Sequence, residues 1–459
     1  MRTAFLHLCG RRDARIVVVW SKRRATTKPW LELGAREVVA VGGRKQGGQQ
    51  LTDAMLDADG IWLEDAGLPQ NDRDLFTRLV HNVLARGGAV GGPGVEATGP
   101  LGLLHHCTIE RLGKASARPR QRLEPGSGEV HLTIPPDTAL VVHDGRRAGA
   151  IGTSPILVRV AANGDWPARE RSIEPQDAFT FGGDLPYDLD LLAWMRSARD
   201  RQGPLHPSAR RATPKVRKGT LVLSGGGGVQ SPTWRRFVDG AGGKDARIVC
   251  IPSASTADDE PQPRSYSARQ LANHGCTDVV VLHTDDPRRA DHRALLQLLD
   301  GATGVWIDGG RTYQLMDAIE HTAVHRRIRE ILQQGGAVGG SSAGCQVLGD
   351  FLVRGNPRTN KDLAFDGYTR ALGLLPGVVL DAHFRDRDRQ RPFAELVRSM
   401  PQLLGIGVDA DTALVVTGTT AEVLGKQGVT FVDAEGDEPV EVLVEAGGRY
   451  DLAKRRALR

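Results

Sequence analysis

The chain has 459 residues, enough for two or three domains. Its 40% hydrophobic and 25% charged content is that of a folded water-soluble protein, not a disordered or fibrous one. The net charge of +5 comes from Arg scattered along the chain, without the continuous basic stripe that marks a nucleic-acid binder. No apolar run approaches the roughly 18 residues of a membrane-crossing helix. The apolar stretch in the N-terminal MRTAFLHLCGRRDAR is also too short for a secretory signal, so the expectation is a cytoplasmic protein with no nucleic-acid or membrane partner.

Taken in chain order, the elements repeat. DARIVVVW at 13–20 is answered by DARIVCIP at 245–252, and ADGIWL at 58–63 by TGVWID at 303–308. GGAVGG occurs at 87–92 and again at 335–340, and PDTALVV at 136–142 is answered by ADTALVV at 410–416. GGDLPYDL at 182–189 faces GGRYDL at 447–452. Five matches in one order predict a tandem duplication with a period of about 240 residues. The expected domains are 1–198 and 219–459, joined by a solvated Pro- and Arg-rich linker at 199–218. The two copies are expected to pack as an internal pseudo-dimer or to support a homodimer.

Within the second copy, RIVCIP, DVVVLHT and GVWIDGG read as strands from their β-branched runs. RSYSARQLANHG, ADHRALLQLLDGA and VHRRIREILQQGG read as helices between them. This alternation predicts an α/β fold in each copy: a doubly wound, mostly parallel sheet with helices on both faces. SGGGGVQ at 224–230 lacks the Lys-Ser/Thr ending of a phosphate loop and reads as the turn after the first strand. The five cysteines, Cys9, Cys107, Cys250, Cys276 and Cys345, are widely spaced and fit reduced thiols. His105, His106 and Cys107 are consecutive, and such neighbours do not converge on one ion, so no metal is expected.

GGAVGGSSAG at 335–344 places a strand, a sharp turn and a helix in succession, and Gly340, Ser342 and Gly344 fit a nucleophile elbow. The N–H of Ala343 and a second from Gly309 or Gly310, in the IDGGR run, would form an oxyanion hole. The base would be His383, at the end of the apolar run in LLPGVVLDAHFRDRDRQRP. The Arg/Asp alternation after it suits a substrate carrying both a carboxylate and a cation. For the third member of the triad, LLGIGVDADTALVV offers Asp409 and Asp411.

These motifs in this order (DARIVCIPSAS, the GG after WID, GGSSAG, LLPGVVLDAHFRDRDR and GIGVDADTALVV) resemble the cyanophycinase family of serine exopeptidases, to which the aspartyl dipeptidases are related. The resemblance spans about residues 220–435. It implies a three-layer fold of the class I glutamine-amidotransferase or flavodoxin-like kind. It also implies Ser342 as nucleophile, His383 as general base, and Gly310 and Ala343 as oxyanion donors. Asp381, Arg387 and Arg389 match the DxHFxxRxR substrate-binding segment. The family hydrolyses cyanophycin, an Asp backbone bearing Arg side chains, to β-Asp-Arg, so the implied partner is a peptide carrying Asp and Arg groups. No cofactor or metal is implied.

Three positions depart from the family pattern. The usual GGDQ is GGRT here, placing Arg311 and Thr312 where an acid and an amide help hold substrate. Ala382 replaces a usual Gln. Ala410 stands where the family has the Glu of its triad. Side chains alternate along a strand, so Asp409 and Asp411 flanking that position would both face away from it. Asp411 has a counterpart, Asp137, in the copy without the Ser, which marks it as structural; Asp409, at a bend, is the candidate acid. In the first copy Gly94 replaces the Ser, Pro93 and Glu96 flank it, and Asp65 and Ala66 replace the GG of the oxyanion strand.

Two other readings compete with a serine peptidase. A catalytically impaired binding protein of the same fold is favoured by Ala410. An ordinary α/β-hydrolase is disfavoured, because its triad acid precedes the His in the chain.

Overall fold

The computed structural model describes residues 2–9, 13–20, 26–42, 48–64, 73–92, 103–104, 106–112, 127–176, 188–255, 265–434, 436 and 439–458. Pro93, Gly94, Glu96, Asp65, Ala66, His105 and most of GGDLPYDL lie outside the described residues. The chain forms two compact units, Met1–Gly203 and Pro204–Arg459. Among the described residues no helix is long and apolar enough to cross a membrane.

In the first unit, β1 (Arg15–Trp20), β2 (Glu37–Gly42), β3 (Gly60–Leu63) and β4 (Ala89–Gly91) form a parallel sheet in the order β2-β1-β3-β4. The continuous apolar run of β1 is what burial on both faces requires. Ile16 and Val18 pack with Phe5, Trp30 and Trp62, beside α1 (Arg2–Leu8) and α2 (Lys28–Glu32). Val17 and Val19 pack with Leu51, Met55, Phe76 and Val80 of α3 (Gly48–Met55) and α4 (Arg73–Ala85). The second half of the unit is mostly antiparallel. β5 (Cys107–Arg111) runs parallel to β6 (Val130–Ile134), which pairs antiparallel with β9 (Ile156–Val160), and β9 with β10 (Arg169–Ile173). β7 (Thr138–His143), β8 (Arg147–Gly152) and the two-residue strands β11 (Pro175–Gln176) and β12 (Leu189–Asp190) form a separate sheet ahead of α5 (Leu191–Asp200).

The second unit opens with β13 (Val216–Ser224), α6 (Ser231–Gly240), β14 (Arg247–Ile251), α7 (Tyr266–Asn273) and β15 (Asp278–Val281). Two one-turn helices follow, α8 (Pro287–Ala290) and α9 (Arg293–Leu296). The sequence predicts a single helix across 290–302, and the structure divides it. His292 adopts an extended conformation and its ring accepts the Ala294 N–H, starting a new helix there, and the run ends in a 3₁₀ turn at Gln297–Leu299. Then come β16 (Gly304–Ile307), α10 (Thr312–Ile319), α11 (Ala323–Gln333), β17 (Ala337–Ser341) and α12 (Ala343–Gln346). The remaining elements are β18 (Val378–Ala382), α13 (Gln390–Ser399), β19 (Leu404–Val408), β20 (Thr412–Gly418), β21 (Thr420–Gly425), β22 (Gly428–Asp433), β23 (Val440–Glu445), β24 (Arg449–Asp451) and β25 (Arg456–Leu458).

A nine-stranded sheet runs β15-β14-β16-β17-β13-β20-β21-β24-β25, parallel from β15 to β13 and antiparallel beyond. Trp234 and Phe237 of α6 cover one face, with the Trp306 ring 4.3 Å from Trp234 and 5.0 Å from Phe237. The smaller sheet, β18-β19-β22-β23, packs Phe384 and Phe393 edge to face with centroids 5.1 Å apart. The β18-β19-β22-β23 order, with one parallel and two antiparallel pairings, is also that of β5-β6-β9-β10 in the first unit. In the nine-stranded sheet, the C-terminal ends of β13, β16 and β17 point the same way. Loops at the carboxyl edge of a parallel sheet are where α/β proteins place ligand-binding groups.

Candidate active site

The turn after β17 holds Ser342 at φ 54 and ψ −115, a backbone conformation that a residue with a Cβ adopts only under constraint. The flanking glycines supply the constraint. A Cβ at Gly340 would lie 2.3 Å from the Gly344 carbonyl oxygen, and one at Gly344 would lie 2.1 Å from that of Ile307 on β16. The small residues of GGSSAG are therefore required by backbone crossing backbone, as the elbow reading expected. The Ser342 N–H donates to the Ser224 carbonyl at the end of β13, at 3.0 Å. The helix that follows is only four residues long.

His383 comes directly after β18, with φ 49, and its N–H donates to the Gly225 carbonyl at 2.8 Å. Its Nε2 is 3.1 Å from Ser342 Oγ, within hydrogen-bond distance. The ring lies against Gly226, where a Cβ would come within 2.3 Å of both Cε1 and Nε2. SGGGG at 224–228 is thus more than the turn read from the sequence. It is the wall against which the imidazole rests. Burial holds His383 below the ordinary imidazole value; Arg387 and Arg389 push the same way, while Asp386 and Asp381 oppose them. A neutral imidazole beside a hydroxyl is the state a general base requires.

The second strand end, IDGG, runs beside the nucleophile. A Cβ at Gly309 would be 3.1 Å from Ser342 Cβ, and Gly310, at φ 149, lies against the Ala254 carbonyl. Among the described residues, neither the Gly310 nor the Ala343 N–H donates to a protein acceptor. Both are available to a charge developing near Ser342 Oγ.

One cleft is lined by Gly310, Arg311, Thr312, Ser342, Gln346, Arg354, Asn360, His383, Arg387 and Arg389. The predicted residues divide within it. Arg387 faces the cleft. Arg311 does too, its guanidinium tied to the Asn356 and Pro357 carbonyls at 3.1 and 3.0 Å. Thr312 is buried and donates its hydroxyl to the Arg354 carbonyl, so it holds the wall in place. Asp381, expected to touch substrate, is fully buried instead. It accepts from Arg354 Nε and NH2, from Arg389 NH1 at 2.7 Å and from Gln346 Nε2 at 2.7 Å. A carboxylate taken out of water needs such partners, and two guanidiniums around one carboxylate leave a positive charge toward the cleft. Gln346, Arg354 and Asn360 are cleft residues the sequence reading missed, since no motif flags them. Arg354, at φ 59, also has a positive φ, as Ser342 and His383 do.

Asp409 does not reach His383, contrary to expectation. It is fully buried, with Oδ1 accepting from the Arg385 N–H at 3.0 Å and Oδ2 from Arg385 Nε at 2.7 Å and the Gly428 N–H at 3.2 Å. It anchors the 3₁₀ turn Arg385–Arg387. Asp411 accepts from the Gly228 N–H at 2.7 Å and pairs with Lys426 at 3.0 Å, so its carboxylate ties the 224–228 turn to the 409–411 segment.

Residues 220–424 match the family model described as peptidase family S51. The cyanophycinase of Synechococcus elongatus is 32% identical over 223 residues, covering 46% of this chain and 68% of that protein. The chain belongs to peptidase family S51, the cyanophycinase family. The cyanophycinase of Trichormus variabilis is 30% identical over 274 residues, covering 54% of this chain and 90% of its own. Among solved structures, a peptidase from an acI-B1 Actinobacterium is 22% identical, with a TM-score of 0.41, over 51% of this chain and 98% of its own. The S51 match falls wholly in the second unit, and it contains Ser342, His383 and every residue of the cleft.

Proposed function

We propose that the second unit is a serine peptidase that hydrolyses cyanophycin or a related aspartyl peptide and releases β-Asp-Arg. The observation that carries this reading is the 3.1 Å approach of His383 Nε2 to Ser342 Oγ within a cationic cleft. Ser342 Oγ attacks the scissile carbonyl carbon as its proton passes to His383 Nε2. The negative charge on the carbonyl oxygen meets the Gly310 and Ala343 N–H groups. When the tetrahedral species collapses, the C–N bond breaks and His383 returns the proton to the leaving amine. Water then attacks the acyl ester through the same base, regenerating Ser342. Arg387, Arg389 and Arg311 would receive the carboxylates of an aspartyl substrate. The first unit is proposed to be a degenerate copy without this chemistry.

The test is release of β-Asp-Arg from cyanophycin by the purified protein beside Ser342→Ala. Release that the substitution abolishes, a loss of about 10⁴-fold or more, supports the reading. Equal release by both proteins would remove Ser342 from the mechanism. A second reading, a binding protein of the same fold, is favoured by Ala410 in place of a triad acid. It would be supported by tight binding of the peptide without turnover.

A further inference from the structure

The described lining of the cleft holds four guanidiniums, those of Arg311, Arg354, Arg387 and Arg389, and no carboxylate. The acid nearest to it in the structure, Asp381, sits behind the wall with no exposed surface. It pairs with Arg354 at 2.8 Å and with Arg389 at 2.7 Å. Two other acids close by are already occupied. Asp386 accepts from the Ala410 N–H at 2.7 Å and from Gln427 Nε2 at 3.0 Å, and Asp362 accepts from Asn356 Nδ2 at 2.6 Å. Four guanidiniums against the one buried carboxylate leave three positive charges around a nucleophile whose histidine is itself neutral.

Arg311 and Arg387 are the two of the four that no carboxylate of the described residues pairs with. Arg311 is aimed by its surroundings. Its backbone N–H donates to the Ala254 carbonyl at 2.8 Å, and its NH2 donates to the Asn356 and Pro357 carbonyls at 3.1 and 3.0 Å. Its guanidinium lies 5.3 Å from the centre of the Tyr313 ring. Of the five N–H groups of a guanidinium, those on Nε and NH1 have no protein acceptor among the described residues. Arg387, on the 3₁₀ turn after His383, donates to no protein group among the described residues. The two free cations thus come from the two segments that also supply Gly310 and His383.

We infer that this cleft reads carboxylates alone, and that Arg311 and Arg387 make it prefer an aspartyl peptide with an acidic side chain to one with arginine. This rests on the aspartyl-peptidase reading of the site and names the substrate class it takes best. A cationic side chain drawn into the cleft would meet three uncompensated positive charges and no acceptor carboxylate. The guanidinium of a β-Asp-Arg unit therefore stays in solvent. The unit can still be hydrolysed there, but its arginine contributes nothing to recognition. A carboxylate in the same place gains charge-assisted N–H donors that are already present and unpaired. Preference then arises both from attraction of the acid and from rejection of the cation.

The experiment uses the full chain carrying Ser342→Ala, so that ligands stay intact, and three dipeptides: β-Asp-Glu, β-Asp-Gln and β-Asp-Arg. They share the aspartyl part and differ in one side chain, and Glu and Gln differ only in charge. Affinities are read by titration calorimetry at neutral pH. β-Asp-Glu is expected to bind about tenfold tighter than β-Asp-Gln, and β-Asp-Arg no tighter than β-Asp-Gln. Adding Arg311→Gln or Arg387→Gln should cut the Glu-to-Gln ratio by about threefold or more. Gln at 311 keeps an amide donor for the Asn356 and Pro357 carbonyls, and Arg387 has no protein partner to lose, so the fold is spared. A merely structural role would weaken all three dipeptides alike and leave the ratio unmoved. An unmoved ratio in both variants overturns the inference, as does tightest binding of β-Asp-Arg or binding of none of the three. Turnover plays no part in this readout. A wild-type chain that binds the dipeptides in the expected order but hydrolyses nothing overturns the peptidase reading and supports the selectivity.

Discussion

A single methyl group at position 226 would land on the His383 imidazole. The Cβ of Gly226→Ala lies 2.3 Å from His383 Cε1 and Nε2, whereas ordinary contact begins near 3.4 Å, so the ring must retreat by about 1 Å. The Nε2 to Ser342 Oγ distance is already 3.1 Å, and a further ångström breaks it. A displacement of that size costs about 100-fold in turnover, roughly 2.7 kcal/mol of transition-state stabilisation. The backbone adds a separate effect, since Gly226 has φ +100 and Ala there is strained by about 1 kcal/mol. Gly275→Ala separates the two: its φ is +86, and nothing lies within 4 Å of the added Cβ. Both variants should lose similar stability in urea, while only Gly226→Ala loses kcat in the β-Asp-Arg release assay. The reasoning fails if Gly226→Ala retains kcat within about threefold of wild type, because contact at this distance could not then be transmitted to Ser342.

Burial, aided by Arg387 and Arg389, holds His383 below its ordinary 6.5. The base is then neutral at pH 7, and kcat/KM should fall only as pH drops through a midpoint under 6.5. Arg387→Ala removes a cation that opposes the imidazolium, so it should move that limb upward; an unmoved limb would refute the assignment. Asp381→Asn leaves the Arg354 and Arg389 guanidiniums buried without a counter-charge. It should lower unfolding stability by about 3–5 kcal/mol, read from the urea midpoint, and a loss below about 1 kcal/mol would contradict the buried-anchor role. All five cysteines are buried; burial pushes Cys9, Cys107 and Cys250 up to about 12 and raises Cys345 as well. Iodoacetamide at mildly alkaline pH should leave native activity unchanged, and inactivation with modification at Cys345, three residues from Ser342, would reopen the choice of nucleophile.

The parts of this molecule legible in its sequence are those whose physics is local. RIVVVW and RIVCI are strands because continuous β-branched runs suit a sheet covered on both faces. Ser342 stood out because a strained turn crossing another strand admits only small flanking residues, and that requirement is written within five positions. His383 stood out because a polar residue closing the buried run VVLDA must emerge where that run ends. Partners fixed by folding were not legible. The Arg/Asp alternation after His383 reads as a surface suited to a zwitterionic substrate. Its members instead meet different fates: Arg389 is buried with Arg354 around Asp381, which precedes the histidine, Arg385 is clamped by Asp409, and Arg387 alone of these three arginines faces the cleft without a protein carboxylate among the described residues. Asp409 was the candidate acid because of its place at a bend, and the sequence cannot foresee that Arg385 and the Gly428 N–H would hold its carboxylate instead.

The phrase GGAVGG, present twice, shows how much a site depends on the neighbours of its motif. At 87–92 it forms β4, parallel to β3; at 335–340 it forms β17, parallel to β16. The two strands differ on their other side. β17 is flanked by β13, and the end of β13 supplies three of the site's supports: the Ser224 carbonyl that takes the Ser342 N–H, the Gly225 carbonyl that takes the His383 N–H, and the Gly226 surface under the ring. β13 also joins β17 to β20, and β20 begins just after the Asp409–Asp411 segment, whose Asp411 N–H donates to the Gly226 carbonyl. Among the described residues of the first unit, β4 ends its sheet, and no strand joins it to β7. A serine placed after the first GGAVGG phrase would therefore have, among the described residues, no counterpart of the strand end that holds Ser342 and His383 in place. The second unit's chemistry belongs as much to VRKGTLVLSGGGG as to the serine motif.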